Sequence, residues 1–181
     1  VNVDVEYALT ENLTFGMNYE RMEAQTDSEH NLDRDATTME LKKGKRLPLV
    51  PENKGSLWAT WSTPANMMGA EYKYVRFQAS TQGGIITKLE EDSLNSSANP
   101  QHRVPGYAIM DIRAGLQGED WEVAAYINNL TDERAQYTWY TGHYGWAMQS
   151  TNAVGKRAHN VDVATNRPRE IGIRYMRRWG E

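Results

Sequence analysis

Residues 1–20 read VNVDVEYALTENLTFGMNYE, and this stretch decides the fold. Apolar and polar residues alternate through it with a period of two, interrupted by the polar turn Thr10-Glu11-Asn12. Such alternation is typical of a β-strand whose two faces meet different surroundings. One face carries the apolar side chains of Val1, Val3, Val5, Tyr7, Leu9, Leu13, Phe15, Met17 and Tyr19. The sequence therefore predicts an antiparallel hairpin, with its second strand running to about residue 23.

Five further segments alternate in the same way, at residues 55–62, 70–80, 107–116, 121–130 and about 169–179. In the third of them, Ile112 lies on the apolar face and Asp111 and Arg113 lie on the other. In the last, Ile171 and Ile173 share a face, which Arg177 interrupts near the end of the strand. The pattern of residues 70–80 does not assign an apolar face. Seven strands are predicted in total.

The connections between these strands alternate between short and long. Short turns are predicted at residues 10–12, 63–66 and 117–120, and long polar connections at about residues 25–51, 81–106 and 131–167. Each long connection far exceeds the median of about four to six residues in compact soluble domains. A meander with one short-turn rim and one long-loop rim is typical of a barrel that spans a membrane.

Composition agrees with a barrel and argues against several other classes of protein. The chain of 181 residues has a formal charge of -4 and no cluster of basic residues, so nucleic acid is not an expected partner. No apolar stretch approaches the length of a spanning helix, whereas a barrel strand presents only every second residue to lipid. The chain has 10 Tyr and 6 Trp but only 2 Phe. Aromatic rings with a polar tip, such as those of Tyr and Trp, are enriched at membrane interfaces. Cysteine is absent, which is compatible with an oxidising periplasm.

The predicted fold class is therefore all-β, an antiparallel up-and-down transmembrane β-barrel, here an incomplete segment of about seven strands. Bacterial single-chain barrels have an even number of strands, and an open edge in lipid leaves backbone groups unpaired. We therefore expect further strands from sequence outside this chain. Residues 1–4 have neither the basic start nor the apolar core of a signal peptide, so a mature or truncated chain is expected. The alternative is a soluble antiparallel β-barrel that turns its apolar faces inward and binds a small apolar ligand.

Three stretches carry a family resemblance. They are LPLVPEN at residues 47–53, NNLTDE at residues 128–133 and RPREIG at residues 167–172. In this order they resemble the carboxy-terminal barrel of TonB-dependent outer-membrane receptors. The positions that match family motifs, and that we interpret as structural, are Asn129, Leu130, Asp132, Pro168, Arg169, Gly172 and Trp179. The family usually ends on an aromatic residue, most often Phe, whereas here Gly180 and Glu181 follow Trp179.

The resemblance implies a barrel of about 22 strands with a plugged lumen, in the outer membrane of a Gram-negative bacterium. Residues 1–181 would then be the carboxy-terminal portion of the barrel domain, with the plug domain and the earlier strands absent from this chain. The implied activity is uptake of a scarce, bulky substrate such as a ferric siderophore. The implied partners are outer-membrane lipid, TonB through the plug domain, and a small-molecule or metal-chelate substrate.

The third long connection contains the candidates for ligand contact, namely Tyr137, Trp139, Tyr140, His143, Tyr144 and Trp146. Aromatic rings with polar tips stack well on catecholates, sugars or porphyrins. Two other interpretations stay open: some of these rings continue the sixth strand as an aromatic girdle, or the connection packs on itself.

Neither a metal site, a cofactor nor catalysis is predicted. All four histidines lie in long connections, at spacings that match no ligand motif. Asp111 and Glu122 are candidates for acid and base chemistry, but the polar lining of a barrel wall explains them more simply. No nucleophile, phosphate-loop or dinucleotide motif occurs, so the chain is not expected to be an enzyme.

Overall fold

The computed structural model describes residues 1–28, 30–31, 40–41, 43–87, 103–140 and 162–179. Among them no helix is long and apolar enough to cross a membrane. In chain order the strands are β1 Asn2–Thr10, β2 Leu13–Arg21, β3 His30–Asn31, β4 Glu40–Leu41, β5 Asn53–Met67, β6 Ala70–Gln82, β7 Ile85–Ile86, β8 Arg103–Val104, β9 Tyr107–Gln117, β10 Trp121–Asn128, β11 Gln136–Tyr140, β12 Asp162–Thr165 and β13 Glu170–Arg177.

Seven long strands form one antiparallel sheet in the order β1-β2-β5-β6-β9-β10-β13. Each long strand therefore pairs with the next long strand along the chain, which confirms the predicted up-and-down meander. The sheet is not closed, and β1 and β13 are its two edges. Three short pairs, β3 with β4, β7 with β8 and β11 with β12, form separate two-stranded sheets within the long connections.

The strand register brings the apolar residues of all seven long strands into continuous rows on one face. One row runs across the sheet through Tyr7, Phe15, Ala59, Phe77, Ile112, Ile127 and Ile171. The neighbouring row on the opposite face contains Glu6, Gly16, Trp58, Gln78 and Asp111. The sheet therefore has one apolar and one polar face, as predicted. The register also assigns the face that the pattern of β6 left open, because Val75 and Phe77 lie in apolar rows.

Many large side chains of the apolar face are exposed, and others, such as Phe15, Phe77 and Ile112, are partly exposed. Ile171 and Ile173 keep 74% and 79% of their surface accessible, and Val3 keeps 41%. Burying such a side chain would contribute about 1.5–3 kcal/mol, so a soluble protein would be expected to cover this face. The described residues leave it uncovered, which is the opposite of the inward-facing arrangement that the soluble-barrel alternative requires.

One predicted turn is wrong. Residues 63–66 are not a turn, because β5 continues through them, and the chain reverses instead at Met68 and Gly69, whose φ angles are 56° and 72°. The N–H of Ser62 donates to Asn12, beyond the start of β2. Backbone nitrogens two residues apart in a strand point to the same side, so the nitrogen of Pro64 also faces β2, but it lies past Leu13, where the pairing of β2 with β5 stops. Proline is tolerated there because no ladder hydrogen bond is lost.

The most deeply buried apolar side chains lie beyond the long-loop rim. Ile85, Ile86, Val104 and Ala135 are at most 4% exposed, although they belong to long connections. Within the sheet, by contrast, buried residues are small, such as Ala124. A single-layer wall has no interior, so side chains become buried mainly where connections fold over one another. Parts of the long connections are therefore ordered structures that sit on the strand ends.

Candidate ligand-binding rim

The NNLTDE motif forms a tight turn at the end of β10. Asn129 and Asp132 both have φ angles of 53°, a conformation that Asn and Asp adopt more readily than most residues. The side chain of Asn129 is only 4% exposed. Its Oδ1 accepts a hydrogen bond of 2.8 Å from the N–H of Glu133, and its Nδ2 donates to the carbonyls of Glu133 and Arg167 at 2.9 and 3.1 Å. Asn129 therefore joins the two ends of the third long connection.

Neighbouring residues of the same turn form hydrogen bonds to the adjacent strands. The N–H of Leu130 donates to the carbonyl of Met110 at 2.7 Å, and the N–H of Asn129 donates to Oδ1 of Asp111 at 2.8 Å. Oδ1 of Asp132 accepts a hydrogen bond of 2.9 Å from the N–H of Arg169. This hydrogen bond holds the pKa of the Asp132 carboxyl below its ordinary value of 3.8, with smaller contributions from the nearby arginine charges.

The remaining motif positions lie in β13 or directly beside it. Pro168 is exposed and directly precedes Arg169. Gly172 pairs with Tyr126 of β10, and a Cβ placed on Gly172 would lie 2.6 Å from Cζ of that ring. Gly172 is therefore needed to let the tyrosine lie across the strand. Trp179 follows β13 and is 81% exposed, with the guanidinium of Arg177 4.5 Å above the centre of its ring.

The structure describes half of the aromatic candidates for ligand contact. Tyr137, Trp139 and Tyr140 lie in β11, so they form a hairpin with β12 rather than continue β10. The ring of Tyr137 lies 5.4 Å from the ring of Tyr107 and is 39% exposed. His143, Tyr144 and Trp146 lie outside the described residues. Ligand contact by this group stays a prediction.

Sequence reasoning missed Arg46, which connects the first and second long connections. Its Nη1 lies 3.0 Å from Oε1 of Glu52, and its Nη2 donates to the carbonyls of Val50 and Gly84 at 3.1 and 2.8 Å. Nearby, the N–H of Leu49 donates to the carbonyl of Ile86 at 2.9 Å. The partners of Arg46 are mainly backbone carbonyls, which leave no trace in a sequence pattern. The only available signal was its position just before LPLVPEN.

Two cavities open beside Arg46. The first has a volume of about 190 Å³ and is lined by residues of the first connection, including Met22 and Val50. The second has a volume of about 280 Å³ and lies between Arg46 and the β7–β8 pair, with Arg103 in its wall. Small-molecule pockets usually occupy about 300–1,000 Å³. Each cavity is therefore large enough for part of a ligand rather than for a whole bulky one.

The polar face of the sheet carries a linked group of charged and aromatic side chains. The hydroxyl of Tyr74 donates to the carboxylate of Glu122, and Nη1 of Arg113 lies 3.8 Å from the same carboxylate. Tyr74 crosses β9 at Gly115, where an added Cβ would lie 3.0 Å from its hydroxyl oxygen. Glu122 thus lies in the ordinary polar lining of a wall, as does Asp111, which accepts from Asn129. Within the described ranges, no group of three or more His, Asp or Glu side chains is placed to hold a metal ion.

Residues 1–130 match the family model described as TonB dependent receptor-like, beta-barrel. The match covers β1 to β10 and ends within the NNLTDE motif. No curated protein and no solved structure matches the chain. The match spans most of the sequence, and the open antiparallel meander with apolar and polar faces agrees with it. The chain therefore belongs to the TonB-dependent receptor-like β-barrel family, whose members are receptors and transporters of the Gram-negative outer membrane.

Proposed function

We propose that residues 1–181 are the carboxy-terminal portion of a barrel domain that spans the outer membrane of a Gram-negative bacterium. The observation that carries this proposal is the apolar row, which crosses all seven long strands without interruption and has no buried member. Outer-membrane lipid is the partner that suits this face. The earlier strands and the plug domain would come from sequence outside the chain, since β1 and β13 each leave an edge to be paired.

The complete receptor would import a scarce, bulky substrate such as a ferric siderophore, with energy delivered by TonB through the plug domain. Family membership supports a transporter. The described parts of the long-loop rim support a receptor, because they fold over strand ends and create cavities such as those beside Arg46. The substrate would be a small molecule or a metal chelate, and aromatic residues of β11 such as Tyr137 would contact it.

Uptake by the complete receptor tests this function. Radiolabelled iron is supplied as individual ferric siderophores to cells whose only receptor is this one, with and without TonB. We expect at least one chelate to be imported, and we expect import to stop when TonB is absent. Import that continues at the same rate without TonB would contradict the proposed coupling. If no chelate is imported, the same assay is repeated with haem, cobalamin and oligosaccharides.

A pair of tyrosine variants tests the ligand-contact site. Tyr137→Ala removes a ring that is 39% exposed at the long-loop rim, whereas Tyr7→Ala removes a ring that is 57% exposed on the apolar face. Loss of one stacking ring from a binding site costs about 0.5–1.5 kcal/mol, so Tyr137→Ala should weaken substrate binding several-fold. Tyr7→Ala should leave affinity unchanged. Equal affinities of the two variants would remove Tyr137 from the site.

A further inference from the structure

The second cavity beside Arg46 is lined by two positively charged side chains and one negatively charged side chain. Arg46 and Glu52, which both line it, form an ion pair with each other at 3.0 Å. Arg103 also lines it, is exposed, and forms no ion pair within the described residues. The charge of Glu52 is therefore compensated by Arg46, and the guanidinium of Arg103 leaves the cavity with a net positive charge.

Arg46 itself offers no free and accessible donor to a ligand in this cavity. Nε of Arg46 is buried and has no hydrogen-bond partner, although both terminal nitrogens of the same side chain are engaged. Planar guanidinium groups bind carboxylates and phosphates through paired hydrogen bonds. Arg103 is therefore the residue of the cavity wall that suits an oxyanion.

The wall of the cavity is held in place by close backbone packing. A Cβ added to Gly84 would lie 2.9 Å from the carbonyl oxygen of Val104, and one added to Gly106 would lie 2.7 Å from that of Gln82. Val104 itself is 1% exposed. Residues 82–84 and 104–106 therefore approach each other too closely for a side chain at either glycine. This packing fixes the backbone beside Arg103, which carries its exposed side chain.

Positive charge continues down the same two strands. Arg76 of β6 and Arg113 of β9 are directly opposite each other in the ladder, on the polar face. Like charges in that position destabilise a sheet. Arg113 has Glu122 at 3.8 Å, whereas the guanidinium of Arg76 lies over the ring of Trp58 at 5.7 Å and forms no ion pair within the described residues. The pair lies six residues below the strand ends, about 20 Å at ~3.3 Å per residue.

We infer that the cavity between Arg46 and the β7–β8 pair binds an oxyanion group, a carboxylate or a phosphate, and that the substrate of the receptor is therefore an anion. Arg103 contacts the oxyanion, and Arg46 is a positioning residue that holds the first connection against Gly84. Arg76 and Arg113 offer the next positive charges to an anion that leaves the cavity along the polar face. This inference rests on the proposed function, because it names the chemical class of the imported substrate.

Calorimetric titration of the complete receptor in detergent with citrate and with inorganic phosphate tests the inference. We expect at least one of the two probes to bind, and we expect Arg103→Gln to weaken that binding by roughly tenfold or more, as loss of a charge-assisted contact does. Arg103→Lys, which keeps the charge, should retain part of the affinity. The control is Arg167→Gln, since Arg167 is 87% exposed at the same rim and lies 3.7 Å from Glu170. It should change affinity by less than about twofold.

The outcomes separate the possible sources of the oxyanion. Binding of citrate alone identifies a carboxylate, binding of phosphate alone identifies a phosphate, and binding of both identifies a general oxyanion site. Binding of neither probe, or equal loss in Arg103→Gln and Arg167→Gln, overturns the inference. TonB-dependent import by a receptor that binds neither probe would leave the proposed function intact while removing the anion site. Probe binding without any TonB-dependent import would support the anion site while removing the proposed function.

Discussion

Asn129 is a buried polar residue whose side chain makes the hydrogen bonds that hold the main chain of the turn together. Its backbone adopts a left-handed conformation. Its side chain makes three hydrogen bonds to main-chain atoms of Glu133 and Arg167. An unsatisfied buried group costs about 1–3 kcal/mol. The motif that the sequence singles out is therefore explained by local hydrogen bonding, and no ligand is needed to account for it.

Asn129→Ala should lower the free energy of unfolding by about 3 kcal/mol, because the acceptor and donors of the side chain are lost together. Denaturant titration of the complete barrel in detergent measures this change. Asn18→Ala is the control, since Nδ2 of Asn18 makes one exposed hydrogen bond of 3.3 Å to Asn2. It should cost less than about 0.5 kcal/mol. Similar losses in both variants would contradict the structural role of Asn129.

Asp132 makes the stability of the long-loop rim depend on pH. The N–H of Arg169 lowers the pKa of Asp132 below its ordinary value of 3.8, so the folded state binds a proton less readily than the unfolded state does. The stabilisation is complete above pH 3.8 and is lost as the pH falls through the lower pKa of the folded state. Asp132→Asn should therefore be less stable than the parent at pH 7, and this difference should shrink at acid pH.

Unfolding midpoints measured from pH 7 down to pH 2 test this dependence. Glu119→Gln, which removes one carboxylate from the short-turn rim, controls for the loss of a negative charge. A difference between Asp132→Asn and the parent that stays constant across the whole range would show that the Asp132 charge contributes nothing.

Among the elements, the β5–β6 hairpin differs most from its prediction. Pro64 usually marks a turn, and here it is accommodated inside β5 because β2 ends before reaching it. The reversal at Met68 and Gly69 has positive φ at both central residues, as in a type I′ turn. Asn-Gly is the preferred pair for such a turn, whereas Met pays a steric cost at the first position.

Met68→Asn should therefore stabilise the hairpin by up to about 1 kcal/mol. Met67→Asn is the matched control, because Met67 is the last residue of β5 and has no positive φ. The two variants are compared by the denaturant midpoint of the complete barrel. A gain in both, or in neither, would show that the left-handed backbone at Met68 is not the source of strain.

At the scale of the whole molecule, a charged substitution should destabilise the apolar face of the sheet and be tolerated on the polar face. Ile112 lies in the apolar row and Gln78 in the polar row beside it, in adjacent strands. A lysine that faces lipid near the midplane costs about 2–4 kcal/mol, whereas one on a wet face costs little. Folding of the complete barrel into lipid vesicles should therefore fail or weaken for Ile112→Lys and proceed normally for Gln78→Lys. The reverse result would exchange the faces and refute the membrane-spanning orientation.

The sequence by itself determined the number of long strands, their order, the side on which each sharp pattern is apolar, and which rim is long. These features are local, because a period of two fixes the face of every residue within its own strand. Only the tertiary structure decided the turn at Met68 and Gly69, the apolar face of β6 and the contacts of Arg46. Each of these depends on a partner distant in the sequence: the end of β2, the register of β9, and the carbonyl of Gly84. A sequence pattern contains the preference of a residue but not the identity of the neighbour that satisfies it.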